Sequence, residues 1–436
     1  MKRTVVLPAA KSQLPRPKVS ILLPSRNRQS YLQQLILDLL SNPRDDIEFV
    51  IADNSDDGTI MRSFMETVDD VRVRFLPSLD HPLGMRDNFE RCVENSRGEW
   101  MTMCGDDDYV DPNVADFLDH ALRHRPDTDI IAWSRIYFRW PDNRKKPSKI
   151  AVSLSNLFGE VARGFLIDDY FMWRHRNMTS AVPFTVIHCL VSRKLMDEIR
   201  NKFGGRYFGH TTVDVDNFCK ILVAGKRFLF SARPFSIDGS CALSNQARAR
   251  GSDSFAKLQS EMVADLGFDP NSDRLIEDFP FPSSLGIAAS GAQAIEYFKR
   301  KYRFAVDGWQ QNYAKSCEAD CQLFSLDQPD YERRVANYRA AFSAWADGRY
   351  ARSFDPPVKK PTVVRTEMLG INGQSLIVDE TIGNVQRPKQ LYDFMQAVLA
   401  PVDQLVFVEE MSFSFQHVDE LEPAPAFNTS PQRRFG

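Results

Sequence analysis

The chain has no apolar run near the roughly 20 residues that a membrane-crossing helix requires, which excludes a helical membrane protein. Met1 to Ala10 hold Lys2 and Arg3 but only a short apolar stretch, too short for a signal peptide. Surplus positive charge is also missing. The formal net charge is -3, so no global basic field marks a nucleic-acid binder. A phosphate-cradling G-x-x-x-x-G-K-[ST] loop is absent, which excludes a Walker-type ATPase. Cysteine is sparse: seven residues, odd in number and scattered, read as free thiols of a reducing cytoplasm. Cys317 and Cys321 have helical spacing, but no histidine or second pair completes a metal site. Asn177-Met178-Thr179 and Asn428-Thr429-Ser430 match the glycosylation sequon, and without a secretion signal chance explains them.

What is present is a strongly periodic first third. Val19, Ile21, Leu22 and Leu23 form an almost continuous apolar strand, the pattern of a parallel sheet covered on both faces. Ser30 and Gln33 read as a capping box for a helix carrying Leu32, Leu35, Ile36, Leu39 and Leu40. A buried strand from Phe49 to Ala52 ends at Asp53. A helix with Ile60, Phe64, Met65 and Val68 follows, then a strand with Val71, Val73 and Phe75. Met85, Phe89, Cys92 and Val93 give a third helical stripe, and Trp100 to Cys104 a fourth strand. Asn113 caps the next helix. Strand and helix alternating in this order imply right-handed crossovers and a mostly parallel sheet. Ligands bind such sheets beyond the carboxyl ends of the strands. Pro24 to Arg28, Asp53 to Asp57 and Gly105 to Asp108 should therefore surround one crevice.

Later segments are less regular. Helices are expected around Leu195 to Phe203 and Asp214 to Leu222, then a strand from Arg227 to Phe230. Beyond about Asn245 the pattern becomes mainly helical, with stretches at Phe255 to Asp265, Ala292 to Lys301 and Tyr331 to Ala346. Val363 to Asp379, with Asn372-Gly373 inside, reads as a β-hairpin. The expected organisation is an arm at 1–17, an α/β domain at 18–244, a mainly helical accessory or acceptor region at 245–421, and a disordered tail at 422–436.

Asp106, Asp107 and Asp108 follow a strand that should be buried. Adjacent carboxylates repel, so the cluster is costly unless a cation or a turn satisfies it. Hard oxygen ligands suit Mg²⁺ or Mn²⁺, which bind through one or two carboxylates plus substrate phosphates. The plainer reading is an exposed acidic turn, helped by Asp111-Pro112; placement after a buried strand favours the metal.

These pieces together resemble the family 2 glycosyltransferases. Val19-Ser20-Ile21-Leu22-Leu23-Pro24-Ser25-Arg26-Asn27-Arg28 looks like their opening strand, and Asp53-Asn54-Ser55-Asp56-Asp57-Gly58-Thr59 like their second-strand turn. Leu83-Gly84-Met85-Arg86-Asp87-Asn88, then Arg97-Gly98-Glu99-Trp100, resembles the approach to their metal motif. Gly105-Asp106-Asp107-Asp108-Tyr109-Val110-Asp111-Pro112 resembles the motif itself. The likeness is clear from Lys18 to about Phe117 and weaker to about Ser244. It implies a GT-A fold, Rossmann-like, and an inverting transfer from a nucleotide-diphosphate sugar to an acceptor hydroxyl. The acceptor would be a glycan, a lipid-linked molecule or another hydroxyl compound, in bacterial surface polysaccharide or glycoconjugate synthesis.

By the same resemblance Pro24, Ser25, Arg26 and Arg28 line the nucleobase, and Asp53 meets base or ribose. Arg86 and Asn88 lie near the nucleotide, Asp106 by the ribose, and Asp107 with Asp108 holds Mn²⁺ or Mg²⁺. Gly105 departs from the pattern, since many relatives have an aspartate there. Asp214 aligns with the catalytic base; Asp214 and Asp216 also suit a helix N-terminus, and the two roles are compatible. No nucleic-acid partner is expected. The expected place is the cytoplasm, with peripheral association at the inner face of the membrane as an extension. Two other classes remain: a sugar nucleotidyltransferase, disfavoured because Pro24 to Arg28 has no glycine, and a nucleotide-sugar-binding module without catalysis, disfavoured by the aspartate cluster together with Asp214.

Overall fold

A computed structural model describes residues 16–145, 148–174, 183–266, 269, 272–359 and 368–411. Both sequons, most of the N-terminal arm and the tail from 422 lie outside the described residues, as does 363–367 of the expected hairpin.

The first third alternates as its periodicity implies: β1 (Val19–Ser25), α1 (Gln29–Leu40), β2 (Ile47–Asp53), α2 (Thr59–Met65), β3 (Val73–Leu76), α3 (Met85–Glu94) and β4 (Trp100–Met103). Next come β5 (Tyr109–Val110), α4 (Val114–His124), β6 (Ile130–Arg139), β7 (Lys149–Ser153), β8 (Leu157–Val161), α5 (Arg163–Phe171), β9 (Cys189–Ser192), α6 (Arg193–Lys202), α7 (Val213–Ala224) and β10 (Phe228–Ser240). The remainder is mostly helical: α8 (Asn245–Arg248), α9 (Ser252–Leu266), α10 (Ile287–Lys301), α11 (Gln310–Phe324), α12 (Gln328–Ala344), the pair β11 (Gly370–Asn372) and β12 (Ser375–Asp379), α13 (Pro388–Met395) and β13 (Val406–Val408).

One large sheet runs β13-β8-β10-β6-β9-β4-β1-β2-β3, with β5 also paired to β10. β3, β2, β1 and β4 are mutually parallel, whereas β9 lies antiparallel between β4 and β6. Side chains of a strand alternate between faces, and β1 shows what that does here. Ile21 and Leu23 enter one core with Leu35 and Ile36 of α1 and Phe117 of α4. Leu22 enters the other with Cys92 and Val93 of α3. Both faces are covered, hence the nearly continuous apolar run.

The C-terminal region is built onto the same sheet. Helices α10 to α12 add Phe298, Tyr313 and Phe342 to the core behind α3, α13 adds Leu391 and Tyr392 to the core behind α1, and β13 pairs with β8. β11 and β12 form the expected antiparallel pair, and β12 also pairs with β7.

Three local expectations are corrected. Ser30 and Gln33 do not form a capping box: α1 begins at Gln29 with Arg28 at its N-cap and no side-chain cap. Asn27, at φ 57, turns the chain so that the N-cap falls two residues before Ser30. α2 stops at Met65 and buries Met61, while Ile60 is exposed. The strand expected at Arg227 to Phe230 extends to Ser240, because a register shift between Ser231 and Ser236 absorbs Pro234. Proline cannot donate to a ladder, and a bulge is where a sheet tolerates it.

Asp320 organises the helical region. Its carboxylate accepts from Arg334 Nη1 at 3.1 Å and the Tyr338 hydroxyl at 2.9 Å, and from the backbone N–H of Ile287 at the start of α10 at 3.2 Å. Both members of the ion pair are sealed from water. Asp320→Asn should therefore strand a buried guanidinium and cost about 3–5 kcal/mol. A urea midpoint within error of the parent would contradict this.

Candidate functional site

The parallel register sets Ser25 beside Asp53, and Leu22 beside Met103. The loops after β1, β2 and β4 therefore leave the sheet side by side. At the end of β4 the chain makes a tight turn whose three carboxylates have separate surroundings.

Asp106 is sealed; its Oδ2 accepts from the Ser25 hydroxyl at 2.6 Å, and Arg28 Nη2 lies 3.0 Å from its Oδ1. Arg28 Nη1 donates to Asp107 Oδ1 at 3.1 Å, and the Cys241 backbone N–H donates to Asp107 Oδ2 at 3.1 Å. One guanidinium thus bridges two neighbouring carboxylates. Burial pushes the Asp106 pKa up, and Arg28 opposes the rise. Burial and the Asp107 charge do the same to Asp108.

Asp108 turns back on its own loop. Its carboxylate accepts from the Gly105 N–H at 3.0 Å, the Gly239 N–H at 2.6 Å and His188 Nε2 at 2.9 Å. Burial and the Arg135 charge push the His188 pKa down to about 3, so its contact to Asp108 is a neutral imidazole donating. Gly105 is explained by the same fold-back: a Cβ there would meet Asp108 Oδ2 at 2.6 Å. An aspartate at that position would displace the carboxylate that closes the turn.

Gly239 is the tighter constraint, since its Cβ would fall 1.7 Å from the Asp107 carbonyl oxygen. Gly239→Ala should force β10 away from the turn, costing about 1–3 kcal/mol. Unchanged thermal stability would show that the approach is looser than described. Trp140 Nε1 donates to the same carbonyl at 2.8 Å, and Tyr31 packs edge-on to Trp140 at 4.9 Å.

The end of β2 carries unmet polar groups. Asp53 Oδ1 accepts from the Ser55 N–H at 3.0 Å, while its buried Oδ2 has no partner. Asn88 donates to the Ala52 carbonyl at 3.2 Å, and its own carbonyl oxygen is unpartnered. Buried acceptors left open are expensive unless a ligand supplies the donor. Pro24 lies within β1 opposite Ala52, and the strand runs one residue further, to Ser25. Arg26 bonds Asp265 at the end of α9 and lies 3.4 Å from Asp56, so the C-terminal region closes this side of the crevice. Arg86 instead bonds Asp87 at 3.1 Å and lines a cavity toward α10.

Asp214 and Asp216 separate clearly. Asp216 is fully buried, 2.7 Å from Lys220 Nζ, and accepts from the Gly209 N–H at 2.6 Å. Asp214, at the first turn of α7, is half-buried and accepts from the Val215 N–H at 2.9 Å. Burial raises its pKa, opposed in part by Arg135. Arg135 on β6 lies 3.4 Å from Asp238 on β10 and acts electrostatically on His188 as well as on Asp214. It connects the Asp108 side of the turn to α7. Arg135, Gly239 and Cys241 escaped the sequence reading because they arrive from strands distant in the chain; the glycine at the end of β10 was the one local signal.

Residues 20–196 match the family model described as Glycosyl transferase family 2. This stretch is a family 2 glycosyltransferase domain. A GalNAc(5)-diNAcBac-PP-undecaprenol beta-1,3-glucosyltransferase of Campylobacter jejuni is 30% identical over 95 residues, covering 21% of this chain and 30% of that protein. An uncharacterized glycosyltransferase of Mycoplasma genitalium is 22% identical over 134 residues, covering 28% of this chain and 45% of its own length. The chain thus spans less than half of the curated relatives it matches. Among solved structures, Staphylococcus aureus TarS 1-349 with UDP-GlcNAc overlays 78% of this chain and 88% of that one at TM-score 0.39 and 14% identity. A Pyrobaculum calidifontis mannosyltransferase with GDP-Man and Mn²⁺ overlays 78% and 84% at TM-score 0.34 and 15% identity. At such scores the fold assignment of the family 2 domain rests on its own strand order and on the family match. Among the described residues no helix is long and apolar enough to cross a membrane, and no three potential ligands form a metal cluster.

Proposed function

We propose that the chain transfers a sugar, with inversion, from a nucleotide-diphosphate sugar to an acceptor hydroxyl. The observation that carries this reading is the pairing of open buried acceptors, Asp53 Oδ2 and Asn88 Oδ1, with the Arg28-bridged Asp106 and Asp107 on neighbouring strand ends. The first pair suits N–H or O–H donors of a nucleobase or ribose. The second suits a diphosphate with its counter-ions.

Carboxylate oxygens fit Mn²⁺ or Mg²⁺. Asp107 with Asp106 or Asp108 would hold the ion, exchanging for it contacts now made to Arg28, Ser25 and Cys241 or to Gly105, Gly239 and His188. When bound, the ion stabilises negative charge on the nucleotide-diphosphate leaving group. Arg28, partly exposed, supplies a second positive charge at the same place. Asp214 takes the acceptor proton as the acceptor oxygen attacks the anomeric carbon, and its raised pKa brings it nearer to neutral pH, where a general base works best. A glycan or lipid-linked acceptor, in bacterial surface polysaccharide or glycoconjugate synthesis at the cytoplasmic side of a membrane, completes the proposal.

The test is a thermal-shift panel of nucleotide sugars with Mn²⁺ or with chelator. One donor should raise the melting temperature only when metal is present. Equal shifts in chelator would remove the metal bridge from the reading, and no shift with any donor would remove the donor.

A further inference from the structure

Arg86, Arg206 and Lys301 converge on a cavity of about 310 Å³ between α3, the segment after α6 and the end of α10. None of its lining residues is acidic. Asp87 stands beside it and bonds both arginines, Arg86 Nε at 3.1 Å and Arg206 Nη1 at 2.7 Å. Two guanidinium groups therefore share one carboxylate. Lys301 has no carboxylate partner among the described residues. Its ammonium donates to the Tyr297 hydroxyl at 3.1 Å and lies over the Tyr297 and Tyr302 rings at 4.9 and 5.7 Å. Tyr302 is fixed by donating to the Phe203 carbonyl at 3.1 Å, so this wall is braced. Next to the lining residue Gly209, His210 is buried with its ring 5.4 Å from Tyr297, and its Nε2 has no hydrogen-bond partner.

The cavity wall itself thus carries three cations and no anion; Asp87 bonds two of them, and Glu90 and Glu94 act on Arg206 only from behind the wall. Forked guanidinium groups suit phosphate oxygens, an ammonium adds a point charge, and the volume lies at the lower end of ligand sites, about 300 Å³. We propose that this cavity is a binding site for a phosphate or diphosphate group, separate from the aspartate turn and independent of metal. The group could be borne by a soluble molecule or by a lipid.

The experiment uses the full chain in EDTA. Calorimetric titration with sodium pyrophosphate reads the soluble source, and cosedimentation with phosphatidylcholine vesicles, plain or carrying a polyprenyl diphosphate, reads the lipid source. Lys301→Gln should weaken whichever binding is seen by about ten- to a hundredfold. Asp87→Asn should strengthen it, because both arginines lose their competing partner; a role confined to holding the loop would not produce that gain. Asp107→Asn should leave it unchanged, which separates this site from the donor site. Pyrophosphate binding with this pattern supports a soluble ligand, and capture by the diphosphate vesicles alone supports a lipid-borne one. Absence of both, or binding indifferent to Lys301→Gln and Asp87→Asn, overturns the proposal.

Discussion

Asp107→Asn should lower transfer by about 10³-fold and abolish the metal-dependent part of donor binding, with little change in melting temperature. The substitution removes a charge and keeps the shape. Its carbonyl oxygen can still accept from Arg28, while its amide then faces the Cys241 N–H, a mismatch that costs about 1 kcal/mol. Asp108→Asn should behave oppositely. That carboxylate accepts from Gly105, Gly239 and His188, and an amide cannot satisfy all three. Stability should fall first and activity with it. Calorimetry of both variants, beside donor titration with and without Mn²⁺, separates the two roles. Activity of Asp107→Asn within a few-fold of the parent would place the metal on another residue.

The difference between these two aspartates could not be read from the chain. Three consecutive identical residues after a buried strand announce a site, because so many carboxylates at a sheet end require compensation. Which one is compensated by what depends on β10, whose course past Pro234 the local pattern concealed, and on His188, which reaches the turn from the segment before β9. The strands β1, β2 and β4 were legible because burial on both faces leaves a nearly continuous apolar signal, and β3 because Val73 and Phe75 alternate with polar residues. Arg28 shows the limit of motif transfer. The resemblance assigns it to the nucleobase, whereas its place at the N-cap of α1 turns its guanidinium onto Asp106 and Asp107. Arg86 illustrates the same limit, since one position on a helix decides which cavity a side chain enters. Asp53 and Asn88 are assigned from their motifs alone, and each carries a buried oxygen without a partner among the described residues.

The second large effect concerns the base. Asp214→Asn should lower turnover by about 10²–10⁴ while leaving donor and metal binding intact. Asparagine retains the oxygen that accepts the Val215 N–H and caps a helix start about as well as aspartate, so the first turn of α7 should hold. Asp216→Asn is not a matched control. It would break a sealed ion pair with Lys220 and cost about 3–5 kcal/mol, so any loss of activity there would follow loss of structure. The control is instead the pH profile. Since burial raises the Asp214 pKa, the acid limb of kcat/KM should lie above the ordinary carboxylate range, with activity falling as pH drops and the base becomes protonated. Asp214→Asn should remove that limb from whatever rate remains. A variant that loses turnover but keeps the limb would show that another group takes the proton and that Asp214 only positions the acceptor. A variant with parental turnover and a parental profile would leave α7 without a chemical role.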